Sequence, residues 1–104
     1  MTPIVIKKDG SRELFDKNKI LSGLMKACQK RPVDAQKVAD EIETQIAGTM
    51  KQEISSQLIG ELAMEKLKQL DAVAYVRFAS VHREFKDVDS FVKEISELKE
   101  TEKK

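Results

Sequence analysis

Five charged side chains near the amino terminus have the types and spacing to grip an anion. Lys7 and Lys8 precede an Asp9-Gly10 pair, Arg12 and Glu13 follow it, and Lys19 comes six residues later. Lysine is a mobile point charge suited to phosphate oxygens. A helix beginning near Lys17 to Lys19 would add backbone N–H groups and partial positive charge at the same place. Val5 and Ile6 beside the lysines offer an apolar wall for a flat base, and Glu13 can accept a hydrogen bond from an amino or hydroxyl group. That mixture suits a nucleotide polyphosphate. A plainer reading stands beside it, in which a charged hairpin only keeps a sheet edge soluble. Composition alone favours the plainer one.

Other chemistries have less support. Cys28 and His82 are the only residues of their kinds and lie far apart in sequence, so they make neither a nucleophile–base pair nor a metal site. Cys28 falls on an apolar helix face and reads as a buried structural thiol. The pairs Glu41/Glu43 and Glu61/Glu65 fall on polar helix faces and read as solvated charge. Neither of the common glycine-rich phosphate loops is present. The chain therefore reads as a binding module and not as an enzyme.

The elements that must position these residues follow from the pattern. Ile4-Val5-Ile6 is β-branched, and Asp9-Gly10 is a strong hairpin signal. A two-residue turn would place Lys8 opposite Ser11, Lys7 opposite Arg12 and Ile6 opposite Glu13. Five helices are expected to follow. Asp16 caps the first, with Ile20, Leu21, Leu24, Ala27 and Cys28 on one face, and Pro32 stops it. Asp34 caps the second, with Val38, Ala39, Ile42 and Ile46. Ser55 caps the third, with Ile54 and Ile59 at hydrophobic-staple spacing. Asp71 opens a fourth that is apolar nearly all round, carrying Tyr75, Phe78 and Phe85, and so belongs at the centre. Asp87 or Asp89 starts a fifth with Phe91, Val92, Ile95 and Leu98. The fold expected is α+β and mostly helical, an N-terminal β-hairpin capping a bundle of four to five helices. Residues 1–98 form the domain, and residues 99–104 are a charged tail expected to fray.

Composition sets the outer limits. The chain has 104 residues, one domain's worth, of which 40% are apolar. No stretch is long enough for a membrane span or shaped like a signal peptide, so a soluble, cytoplasmic protein without a membrane partner is expected. The net charge is only +1, which gives no general case for nucleic-acid binding. Yet residues 1–31 hold eight Lys and Arg against three Asp and Glu. A small anion is a more natural partner for that local excess than a long duplex.

With these residues in view, a resemblance emerges. Val5-Ile6-Lys7-Lys8-Asp9-Gly10-Ser11-Arg12-Glu13, Phe15-Asp16 and Lys19-Ile20 resemble the opening of an ATP-cone, the regulatory nucleotide-binding domain found at the start of many ribonucleotide reductases. Ala27-Cys28-Gln29-Lys30-Arg31-Pro32-Val33, Ile59-Gly60-Glu61-Leu62 and the run from Leu70 to Val81 are similar to the ATP-cone of the bacterial repressor of ribonucleotide reductase genes. The resemblance extends through Phe85-Lys86-Asp87-Val88 and Phe91 and covers roughly residues 3–98. It implies ATP and/or dATP as bound effector, with magnesium left open, and a homo-oligomer whose state the nucleotide controls. It also implies that Lys7, Lys8 and Lys19 hold phosphates, that Val5 flanks the base and that Glu13 makes polar contacts nearby. Ser56 and Gly60 correspond to third-helix positions near the ligand, where an absent side chain at Gly60 would allow close approach.

Two departures qualify the match. Such repressors carry a four-cysteine zinc ribbon that binds DNA, and the one cysteine here holds no zinc. DNA contact is therefore expected only through a ribbon that these residues do not supply. His82 stands where the repressors usually have Tyr, and could stack on or hydrogen-bond to a ligand. Two other readings compete: the allosteric cone of a reductase, and a nucleotide-independent association module built on the amphipathic last helix.

Overall fold

The computed structural model describes residues 2–83 and 87–102. Phe85 and Lys86, used above, lie outside the described residues, as do the last two residues of the expected tail. The chain opens with strands β1 (Ile4–Ile6) and β2 (Arg12–Leu14), continues through helices α1 (Lys17–Ala27) and α2 (Ala35–Gly48), and then adds a third strand, β3 (Glu53–Ser55). Helices α3 (Ser56–Leu70), α4 (Ala72–His82) and α5 (Val88–Glu102) complete it.

Each helix starts where a side-chain oxygen can take an orphan N–H. Asp16 accepts from Asn18, Asp34 from Lys37, Ser55 from Leu58 and Asp71 from Ala74. Asp87 accepts from the Ser90 N–H, which selects it over Asp89 as the start of α5. All of these fall at the expected caps.

The hairpin register differs from the expectation by one residue. Ile4 pairs with Leu14, Val5 with Glu13 and Ile6 with Arg12. The connection is a three-residue loop, because Lys7 donates to the Ser11 carbonyl at 2.9 Å and accepts from Gly10 N–H at 2.9 Å. Two local forces fix it. Asp9 accepts from both the Ser11 N–H and its hydroxyl, and Gly10 sits at φ +86°, the left-handed position that such loops require. A one-residue slip moves side chains to the opposite face of the sheet. Here it places Glu13 directly across from Val5, on the inward face, and sends Arg12 outward to an ion pair with Glu53 at 2.9 Å.

β3 was absent from the sequence reading. It runs parallel to β1, giving the order β2-β1-β3, and pairs Val5 with Ile54. Val5 and Ile54 are both buried and join the sheet to the helices. The core beneath centres on Leu24, Ile42, Met64 and Leu67, one or two from each of the first three helices, all fully buried. Burying each such side chain contributes about 1.5–3 kcal/mol. α1 packs on α2 and α4, α3 on α2 and α4, and α5 rests on α4.

α4 is less central than its composition suggested. Ala74, Tyr75 and Ala79 are buried, but Val73 is 40% and Val81 77% exposed. The all-round apolar helix thus keeps one flank open, and Val81 lies on it, facing the hollows described below.

Candidate functional site

The inward face of the hairpin, the start of α1, the start of α3 and the end of α4 meet around three adjoining hollows. The smallest, about 200 Å³, is walled by Val5, Glu13, Phe15, Lys19, Ile20, Ser56 and Ile59. A second, about 440 Å³, lies between the hairpin loop residues Lys7, Lys8 and Asp9, the α3 start at Ser56 and Gln57, and Val81 and His82 of α4. The third, about 480 Å³, has an apolar floor of Ile20, Gly23, Ala27, Phe78 and Val81 beneath Lys19, Lys26, Arg77 and His82. Neighbouring hollows share walls: Ser56 joins the first and second, His82 the second and third, and Lys19 the first and third. The two larger volumes fall in the range of about 300–1,000 Å³ typical of small-molecule sites.

Two of the cations, Lys7 and Lys19, come together on one carboxylate, while Arg12 turns away to Glu53. Lys19 Nζ donates to Glu13 Oε2 at 2.7 Å, and Lys7 Nζ lies 3.9 Å from the same oxygen. One carboxylate oxygen therefore sits between two ammonium groups drawn from different elements. The hydrogen bond from Lys19 is the main reason that the Glu13 carboxyl is held below the usual carboxylate range, with the charges of Lys19 and Lys7 adding to it. The same bond pushes the Lys19 ammonium up. Both groups are consequently ionised at neutral pH. The hairpin register explains the arrangement, because Val5, Lys7 and Glu13 share the inward face only with the three-residue loop.

The start of α3 adds a further attraction. Ser55 Oγ accepts from the Leu58 N–H, and Ser56 and Gln57 lie in the first turn, beside Lys7 and Lys8. Helix N-termini of this kind attract anions through exposed N–H groups and the partial positive charge of the helix end.

Seven of the eight residues named from sequence line the hollows: Val5, Lys7, Lys8, Glu13, Lys19, Ser56 and His82. Gly60 does not. It is buried, and the space where its side chain would stand is filled by the imidazole of His82. The open approach expected there is taken by a protein ring.

Among the lining residues that the sequence reading did not assign to the site are Gln57, Lys26, Val81 and Arg77, and Phe78, read there as core, lines it too. Lys26 could have been found, since Lys19, Gly23 and Lys26 fall on one helix face at i, i+4 and i+7. Arg77 is the lone charge in an apolar run. Its guanidinium donates to the Ala27 carbonyl at 3.2 Å and to the Gln29 carbonyl at 2.7 Å, tying the end of α1 to α4 behind the third hollow. Cys28 is buried, and burial pushes its thiol up, away from the reactive thiolate. Among the described residues no group of three or more metal-ligating side chains comes together, and no helix is long and apolar enough to cross a membrane.

Comparison with known proteins decides the family. The ATP cone domain matches residues 3–88. The chain belongs to the ATP-cone family. The ATP-cone is a regulatory domain and not a catalytic one. This cone is also similar to curated relatives that carry the name transcriptional repressor NrdR. The protein from Caldicellulosiruptor bescii is 57% identical over 98 residues, covering 91% of this chain and 64% of the relative. That from Pelotomaculum thermopropionicum is 58% identical over 100 residues, covering 93% and 60%. That from Clostridium tetani is 55% identical over 102 residues, covering 95% and 67%. The cone thus spans about two thirds of the length of the relatives it matches.

Proposed function

We propose that this cone is the nucleotide sensor of a repressor of ribonucleotide reductase genes, with ATP and dATP as effectors. The observation that carries the reading is the sharing of Glu13 Oε2 by Lys7 and Lys19 at the mouth of adjoining hollows. Two cations already gathered on one anionic oxygen are poised to bind a triphosphate instead. Lys8 and the start of α3 extend the positive surface, and Val5, Ile20 and Phe78 supply apolar walls for a base. The family is regulatory and not catalytic, which supports a nucleotide that acts as a bound signal.

The family membership and the relatives' shared name support the regulatory role. In the proposed mechanism, nucleotide occupancy alters how copies of the domain associate, and association governs promoter binding. Residues 1–98 carry this role, and α5 runs on past them to Glu102. The DNA contact itself belongs to a four-cysteine zinc module, for which this chain, with its one cysteine, has no ligands. Magnesium would enter with the triphosphate, and the protein would work in the cytoplasm, where its promoter is.

Calorimetry with ATP and dATP tests the reading. Saturable binding is expected, weakened roughly a hundredfold in a folded Lys7→Glu/Lys19→Glu variant, since two attractions become repulsions. Equal affinity in that variant would refute the assigned pocket. Sizing with and without nucleotide tests the control of association. Assembly indifferent to nucleotide, in a chain that binds none, would favour the association module.

A further inference from the structure

We propose that Gly60 is a positioning residue for this site: lacking a side chain, it lets the His82 imidazole seat against α3 and form the partition between the two larger hollows. The inference rests on the nucleotide-sensing reading and adds to it the device that sets the shape of the pocket.

The steric observation is specific to this glycine. A Cβ placed on Gly60 would lie 2.0 Å from His82 Cε1, 2.4 Å from Nδ1 and 2.5 Å from Nε2. Three ring atoms fall inside contact distance, so no side chain at 60 is compatible with the ring where it stands. The chain has four glycines. A Cβ on Gly10 or Gly48 would meet nothing within 4 Å, and one on Gly23 would touch Phe78 at an ordinary 3.6 Å. Only at Gly60 does the missing carbon make room for another residue.

The ring is held from the other side as well. His82 packs against Phe78, one turn earlier on α4, with ring centroids 6.2 Å apart and planes inclined by 27°. Seated between the α3 backbone and Phe78, the imidazole lines both the lysine-rich hollow beside the hairpin loop and the apolar hollow above Ile20 and Gly23. A side chain at 60 closes the seat on the α3 side. The ring must then retreat by more than 1 Å, and because it lines both hollows its retreat changes their shape. Because the ring ends a side chain with two rotatable bonds, it can swing without moving either helix backbone. The fold therefore tolerates the change while the pocket does not.

The chain contains one histidine, so the imidazole resonances report on His82 alone. The test uses the full chain with Gly60→Ala, His82→Ala and the double variant. ATP affinity is measured by calorimetry, and the His82 ring proton is followed by NMR with and without ATP. Gly60→Ala is expected to unfold no earlier than wild type, since alanine favours a helix interior. Its imidazole resonance is expected to be displaced before any nucleotide is added, and its ATP affinity to fall about tenfold. In the double variant the obstructing ring is gone, so affinity is expected to equal that of His82→Ala. Gly60→Ala with wild-type affinity and resonance would overturn the positioning role. So would a double variant weaker than His82→Ala by the same factor that Gly60→Ala loses alone. No ATP binding by the wild-type chain would overturn the nucleotide reading and the positioning role together, whereas wild-type binding with an inert Gly60→Ala would overturn the positioning role only.

Discussion

Replacing Asp71 with alanine removes three interactions made by one nearly buried carboxylate. Asp71 accepts the Ala74 N–H at 2.9 Å, capping α4, and receives Arg31 Nε and Nη2 at 2.9 Å each, pinning the α1–α2 connection to the start of α4. Its side chain is only 7% exposed. Loss of an N-cap costs about 1 kcal/mol, and loss of charge-assisted hydrogen bonds adds about 1–2 kcal/mol. The expected destabilisation is therefore about 2–3 kcal/mol, and each kcal/mol lowers Tm by about 4–8 °C in a domain of this size. Urea denaturation followed by circular dichroism measures it directly. The pH dependence gives a second handle. The hydrogen bond from Arg31, supported by the Ala74 N–H, holds the Asp71 carboxyl below its ordinary 3.8. A depressed native pKa means that the stabilisation is complete above the unfolded value and is lost as pH falls through the native one. The gap between wild type and variant is thus expected to be constant from pH 7 to 5 and to narrow below about pH 4. A gap under about 0.5 kcal/mol at neutral pH, the level of an ordinary surface substitution, would refute the reasoning. So would one that persists unchanged at pH 2.

Three other outcomes follow from single contacts. Leu24→Ala, at a position with no exposure, is expected to cost about 2–5 kcal/mol in the same denaturation assay. Gly10→Ala places a Cβ in the left-handed region at φ +86° and is expected to cost about 1–2 kcal/mol, with no new clash to add to it. Glu13→Gln takes away the anion that Lys7 and Lys19 share, so inorganic triphosphate should bind several-fold more tightly at low salt. Calorimetry that showed weaker triphosphate binding would mean that Glu13 does not compete with phosphate for those lysines.

The helices were legible because their caps are local. Asp16, Asp34, Ser55, Asp71 and Asp87 each stand within three residues of the N–H they satisfy. The hairpin was legible in existence but not in register, since Asp9-Gly10 reads as a two-residue turn until the Asp9 side chain is seen to hold Ser11. β3 was illegible for a different reason. Only Ile54 of its three residues is buried, too short a pattern to show alternation, and its pairing with β1 joins distant parts of the chain. The site divides along the same line. Lys7, Glu13 and Lys19 are near neighbours in sequence, so their gathering could be anticipated from a turn and a helix start. That His82 would sit on Gly60 depends on how α3 and α4 pack, and neither residue type announces it.

The placement of β1 bears on the order in which the molecule can be completed. Within the domain it is the first strand in chain order and the middle strand of the sheet, bonded to β2 on one side and β3 on the other. Its second partner does not exist until Ser55 has been synthesised. A lone two-stranded hairpin is marginal in water, and closing so long a loop is entropically slow compared with winding local helices. Within the domain, the segment that comes first in sequence is therefore among the last to be secured, and the cation pocket that hangs from it is completed only once Ser55 is in place.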